Sequence, residues 1–215
     1  MMGALAGLLA GVAAFPLVIL SLETLAGLRR PIAHPDDSAM PHTTVIIPAH
    51  DEEAGIAATV TAIKASGVDI LVVADNCSDA TAQRARDAGA TVVERHDASA
   101  RGKGYALAFG RDALRADPPE VVIILDADCV PDDPALARLS RCAAQAGRAI
   151  QARNELQTRA DDPPMTRISN FAFSLKNVIR QRGFMCIAGT CVLTGTGMAF
   201  PWEQFRDAPL CPSRC

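Results

Sequence analysis

Two aspartates, Asp126 and Asp128, stand two positions apart at the end of an apolar run, Val121-Val-Ile-Ile-Leu125. Carboxylates are hard oxygen ligands. A pair of them suits Mg²⁺ or Mn²⁺, ions that commonly join one or two carboxylates to substrate phosphates. In extended backbone, positions i and i+2 point the same way, so both side chains would face one cation. The competing reading is that one aspartate caps the next helix and the other is solvated, which suffices for an isolated D-x-D. A second chemical signal is Lys103, flanked by Gly102 and Gly104. Flanking glycines let backbone approach a ligand closely, and a lysine at a helix start favours an anion. Two further polar clusters, Pro48-Ala-His-Asp-Glu-Glu53 and Asp75-Asn-Cys-Ser-Asp79, each follow a strand-like apolar run.

The elements that must position these groups alternate between strand and helix. Thr43–Pro48 reads as a first strand, ended by a proline that cannot donate to a central ladder. Asp51 is placed to cap the next helix, whose inner face is Ile56, Val60 and Ile63, with Gly67 as its stop. Asp69–Ala74 is a second strand, followed by a helix starting at Asn76 or Ser78 and stopping at Gly89. Ala90–Glu94 is a third strand. A helix from Lys103 to Ala116 turns Leu107, Leu114 and either Phe109 or Gly110 inward. Val121–Leu125, apolar throughout, is a strand buried on both faces. A helix over Pro134–Ala146 and a strand over Ala149–Arg153 follow. This alternation predicts an α/β fold with a mostly parallel sheet flanked by helices. In such a sheet the polar strand ends share one edge, where ligands bind. Carboxylates for a metal, a lysine for phosphate and an acid near a base edge together describe a nucleotide-diphosphate site.

The 215 residues suffice for one domain with an appendage, and the formal charge of −3 offers no basic field for nucleic acid. Seven cysteines, without C-x-x-C or zinc spacing, read as reduced thiols. Gly3 to Leu28 is nearly all apolar, with Glu23 its only charge, and is long enough for a transmembrane helix. A signal peptide competes, but no positive n-region precedes the apolar run. Arg29 and Arg30 then place the remainder on the cytoplasmic side of the inner or plasma membrane. The organisation expected is a transmembrane helix and basic flank over 1–30, a linker over 31–42, a catalytic domain over 43–205 and an irregular tail over 206–215. Within that domain, Met165–Arg182 has a helical stripe of Ile168, Phe171, Leu175 and Ile179 beside basic residues. It is read as core-packed with a solvated basic face, or as a helix lying on an anionic membrane.

Five blocks, in order, resemble family 2 glycosyltransferases of the GT-A (Rossmann-like) fold. They are Val45-Ile-Ile-Pro-Ala-His-Asp-Glu-Glu53, Val73-Ala-Asp-Asn-Cys-Ser-Asp-Ala-Thr81, Arg101-Gly-Lys-Gly-Tyr-Ala-Leu107, Asp126-Ala-Asp128 and Thr194-Gly-Thr-Gly-Met-Ala-Phe200. The resemblance implies inverting transfer of a hexose from a nucleotide-sugar donor, most often UDP-linked, to a polysaccharide or lipid-linked acceptor. It implies that Pro48, Ala49 and Glu53 line the nucleoside pocket, that Asp75 contacts the uracil and that Lys103 lies near the ribose and diphosphate. It further implies that Asp126 and Asp128 hold the divalent cation, Mg²⁺ or Mn²⁺. Gly195, Thr196, Gly197 and Met198 would border the sugar or acceptor.

The chain departs from the family pattern at Asp51, where Asn is usual, and after Trp202, where the acidic motif of the catalytic base and the Q-x-x-R-W signature do not occur. The catalytic base is therefore unassigned, and the GT-A domain is expected to be incomplete. Two functions remain at this point: a membrane-anchored glycosyltransferase, and a truncated donor-binding remnant that transfers nothing. A sugar nucleotidyltransferase would need a Gly-rich N-terminal loop that Ile47-Pro-Ala-His-Asp51 lacks, and a purely structural membrane protein leaves the acids at the strand ends unexplained.

Overall fold

The computed structural model describes residues 2–28, 38–132, 134–156 and 161–210, with side chains from Gly11 onward except Ala13. It divides into two compact units. The larger comprises 34–152 and 193–215, and the smaller comprises 1–33 and 153–192.

The larger unit is built on a six-stranded mixed sheet in the order β3-β2-β1-β4-β6-β5. Its strands are β1 (Thr43–Ala49), β2 (Asp69–Asp75), β3 (Thr91–Arg95), β4 (Val121–Ile124), β5 (Ile150–Gln151) and β6 (Met198–Pro201). The first four run parallel, while β6 is antiparallel to both β4 and β5. The parallel strands read as continuous apolar runs because helices cover both faces. Val45, Ile47, Val72, Val121 and Ile123 face the side covered by α2 (Ile56–Lys64), α3 (Thr81–Asp87) and α5 (Ala135–Ala146). Ile46, Leu71, Val73, Val122 and Ile124 face the side covered by α4 (Lys103–Ala113) and the short α8 (Trp202–Arg206). This alternation along each strand is the period of the pleat. On α4 the inward residues are Ala106, Leu107 and Gly110, while Phe109 is exposed. A Cβ on Gly110 would lie 2.8 Å from Val73 Cγ2, so the missing side chain sets how closely α4 approaches the sheet.

Three local expectations need correction. Pro48 does not end β1, which runs through it to Ala49. The backbone of Ile46 faces β4, accepting the Leu125 N–H, and residue i+2 faces the same way. Pairing with β4 stops at Ile46, so the absent N–H of Pro48 deprives no partner. Asp51 does not cap α2, which starts five residues later behind Gly55. The block 194–200, expected only to border the sugar or acceptor, also carries a strand, because Met198–Pro201 forms β6 and pairs with β4.

The smaller unit is helical. α1 spans Met2–Gly27 with Pro16 inside it. α6 (Pro164–Ser174) continues through a π-helical turn (Leu175–Ile179) into α7 (Arg180–Ala188). Glycines let α1 meet this helix backbone to backbone: a Cβ on Gly183 would lie 1.7 Å from the Glu23 carbonyl oxygen, and one on Gly27 1.9 Å from that of Ile179. Glu23, the single charge of the apolar segment, pairs with Arg180 at 2.7 Å. The core-packed reading of 165–182 is corrected: Ile168 and Phe171 are exposed, and Val178 is the buried apolar residue of this stretch. A two-helix unit has little interior to offer them. Val12, Phe15, Leu17, Val18, Leu22 and Leu25 of α1 are exposed too. Among the described residues no helix is long and apolar enough to cross a membrane. The expected span from Gly3 to Leu28 falls partly on side chains outside the described set.

Candidate active site

The parallel strands β1, β2 and β4 end on one edge of the sheet, and their following loops enclose a cleft of about 380 Å³. Pro48, Ala49, His50 and Glu52 line it from the end of β1, and Asp75 and Asn76 from the end of β2. Arg101, Gly102, Lys103 and Ala106 come from the start of α4, and Asp126 from beyond β4. Of the residues expected at the donor site, Pro48, Ala49, Asp75, Lys103 and Asp126 thus meet at one cavity.

Glu53 and Asp128 are not among the lining residues. The Glu53 carboxylate accepts the Ala80 N–H at 3.0 Å, and its own N–H reaches Asp79 Oδ2 at 3.1 Å. It ties the loop after β1 to the loop after β2. Asp51 does the same, accepting the Ser78 N–H at 2.7 Å from a left-handed backbone of φ 53°. Asp79 accepts from both the N–H and the hydroxyl of Thr81. Desolvation works against ionisation of Asp79, but these bonds and that from Glu53 prevail and hold its carboxyl below the usual range.

Asp126 and Asp128 approach each other for a reason other than extended backbone. β4 ends at Ile124, and the Cys129 N–H bonds to the Asp126 carbonyl, closing a turn. This brings carboxylate oxygens of Asp126 and Asp128 and the Cys129 sulfur within 4.8 Å of one another. Two carboxylates beside a cleft fit a hard divalent cation. Burial pushes the Cys129 thiol up, and carboxylate oxygens suit a hard divalent cation better than sulfur does. The turn is pinned from below by Thr59 of α2, whose buried hydroxyl donates to the Ala127 carbonyl at 2.5 Å.

The segment 194–198 supports this corner. The Lys103 ammonium donates to Asp126 Oδ1 and, at 2.6 Å, to the Gly195 carbonyl. The buried Thr196 hydroxyl accepts the Asp126 N–H at 3.0 Å. Gly195 and Gly197 hold φ of 97° and 63°, which glycine adopts without strain. Met198 is buried in β6 and belongs to the core.

Sequence reasoning missed Arg95. Its guanidinium sits 2.7 Å from Asp75 Oδ1, and both side chains are 10% exposed. It also reaches Asp97 Oδ2 at 3.1 Å and lies over the Tyr105 ring. Asp75 therefore enters the cleft already paired. The sequence signal was weak, a single base at the end of a strand that carries no polar motif. His50 and Arg101 fell within the quoted blocks without being assigned a role.

Residues 44–198 match the model of glycosyl transferase family 2. The chain belongs to this family. Over 109 residues it is 33% identical to the low-salt glycan biosynthesis hexosyltransferase Agl6 of Haloferax volcanii, a match covering 48% of this chain and 25% of that protein. Its fold is similar to that of mannosyltransferase PcManGT from Pyrobaculum calidifontis, solved with GDP-Man and Mn²⁺ (TM-score 0.63, 21% identity, 90% of this chain and 55% of that one). It is also similar to glucosyl-3-phosphoglycerate synthase from Mycobacterium tuberculosis in complex with UDP (TM-score 0.52, 22% identity, 81% and 63%). The chain thus spans a quarter of the length of the hexosyltransferase and less than two thirds of either solved structure. These likenesses establish the GT-A-like fold.

Proposed function

We propose that this chain is the donor-binding part of an inverting glycosyltransferase that takes a hexose from a nucleotide sugar, with UDP as the nucleotide. The observation that carries the reading is the convergence of Asp75, Lys103 and Asp126 on one cleft at the carboxyl edge of parallel strands. Asp75 and Asn76 face the nucleobase. Arg101, Lys103 and the backbone at the start of α4 bind the diphosphate, where a helix N-terminus and two cations favour negative charge. Asp126 and Asp128 are the residues that would hold Mg²⁺ or Mn²⁺, as the relatives crystallised with Mn²⁺ suggest. Bound there, the ion supplies Lewis-acid neutralisation of the leaving diphosphate. Thr196 fixes the Asp126 backbone N–H, and Lys103 pairs with the Asp126 carboxylate. The acceptor hydroxyl needs a general base, and none is assigned among the described residues.

The acceptor is a growing glycan or a lipid-linked saccharide. The apolar exterior of the helical unit, including Phe15, Leu17, Met165 and Phe171, supports attachment to a membrane. Arg29 and Arg30 favour the cytoplasmic side. The alternative function is donor binding without transfer.

Calorimetric titration of the detergent-solubilised chain with UDP and with GDP, each with and without Mn²⁺, tests the reading. Mn²⁺-dependent UDP binding that disappears in Asp128→Ala is expected. Equal binding without the ion, or none of either nucleotide to a folded sample, overturns it. Release of UDP from UDP-hexose with a glycan acceptor separates a transferase from a binding remnant.

A further inference from the structure

Beside the cleft lies a second group of metal-ligating side chains that this reading does not use. We propose that His50, Asp51 and Cys77 form a site for a borderline, thiol-seeking divalent cation of the Zn²⁺ class, built from residues other than the Asp126–Asp128 pair. The three ligand atoms lie within 4.8 Å of one another, and His50 Nε2 is 3.9 Å from Asp51 Oδ2. Tetrahedral zinc with bonds of about 2.0 Å to nitrogen and oxygen and about 2.3 Å to sulfur holds its ligands roughly 3.3–3.6 Å apart. Small side-chain rotations close the difference.

The surroundings are those of a prepared site. His50 Nδ1 is 2.8 Å from the Asp75 carbonyl oxygen, which can only accept. Nδ1 is therefore the nitrogen that donates to this carbonyl, and Nε2, on the side of Asp51 Oδ2, is the one left to ligate. A ligating histidine characteristically has this second hydrogen bond, which sets both tautomer and ring orientation. Asp51 is itself oriented by the Ser78 N–H at 2.7 Å and by the Ser78 hydroxyl. Cys77 is half-buried with Sγ against the Ala49 carbonyl at 3.5 Å. His50 and Asp51 are exposed, leaving a fourth position for water.

The donor set decides the class of ion. An imidazole and a thiolate select Zn²⁺ or Co²⁺ over the Mg²⁺ and Mn²⁺ that two carboxylates suit. On binding, the Cys77 S–H bond breaks, its proton passes to solvent and a sulfur–metal bond forms, with no change of oxidation state. His50 lines the cleft and holds the Asp75 carbonyl, so an ion here would fix the nucleobase rim of the cavity.

The reduced, chelator-stripped full chain, titrated with Co²⁺, gives a direct readout independent of any transferase activity. A thiolate-to-cobalt charge-transfer band in the near ultraviolet is expected, displaced by Zn²⁺. It should vanish in Cys77→Ser and in Cys77→Ala, and Co²⁺ should bind at least about tenfold more weakly in His50→Ala. It should persist in Asp128→Asn and Cys129→Ser. Trp202 emission identifies the variants that fold, and either Cys77 variant suffices. No band in the wild-type chain, a band surviving the loss of Cys77, or a band lost with Cys129 overturns the proposal.

Discussion

Replacing Arg95 by leucine removes the cation that meets Asp75 inside the fold. Both side chains are 10% exposed, so water can do little to replace the lost partner. Breaking a buried pair by deleting one member costs about 3–5 kcal/mol, because the remaining charge is left uncompensated. Asp75 keeps one donor, the Asn76 amide at 3.0 Å, and Asp97 is exposed enough to rehydrate. These place the cost at the lower end, about 3 kcal/mol, or roughly a 150-fold fall in the folded-to-unfolded ratio. Urea unfolding followed through Trp202 is the assay. This is the only tryptophan, it is buried, and it sits at the start of α8 against β4 and β6. With a slope of about 2 kcal/mol per molar urea, the midpoint should fall by about 1.5 M. Asp75→Asn introduced into the Arg95→Leu chain should restore half of that or more, since it removes the stranded charge. A midpoint shift below about 0.3 M, or two substitutions whose costs simply add, would refute the coupling.

Thr196→Val leaves the Asp126 N–H without its acceptor and should cost about 1–3 kcal/mol in the same assay, while Thr196→Ser should retain most of the stability. Gly102→Ala forces a side chain into φ 122° ahead of α4 and should lower stability by about 1–3 kcal/mol, measured by thermal unfolding. The Asp79 carboxyl is held below its ordinary value of 3.8, so the folded state binds its proton less readily than the unfolded chain. Its contribution is complete above pH 3.8 and is lost as pH falls through the lower folded value. Asp97 behaves alike, held down by Ser99. Urea midpoints measured down through this range should fall, and less steeply for Asp79→Asn.

The cleft was legible where it rests on period and topology. Pro48, Asp75 and Asp126 follow three apolar runs, and parallel pairing alone brings such ends to one edge. Lys103 between glycines marked a helix start whatever its tertiary partners. What was hidden depends on contacts distant in sequence. β6 is a strand only because Ile123 and Ile124 stand opposite Ala199 and Met198. The approach of Asp126 to Asp128 needed a turn that an extended reading of D-x-D does not contain. Asp51 looked like a helix cap because Asp commonly is one, but the nearby Ser78 N–H claimed it first. Arg95 had no motif, and its role exists only because β3 pairs with β2 in a register that sets it beside Asp75.

The pairing of β6 with β4 has a consequence for how the molecule is made. The paired residues lie about 75 positions apart, whereas β1 meets β2 after about 25. Closing the longer loop costs only about 1 kcal/mol more in chain entropy, but such contacts come late in assembly. During synthesis, β1 to β4 can associate before Thr196 has left the ribosome. The nascent sheet then carries an exposed β4 edge, and the Asp126 N–H waits for its acceptor. The aspartate corner becomes set only when β6 arrives, so a pause in translation ahead of residue 193 would hold the chain with an open, sticky strand and an unformed Asp126 turn.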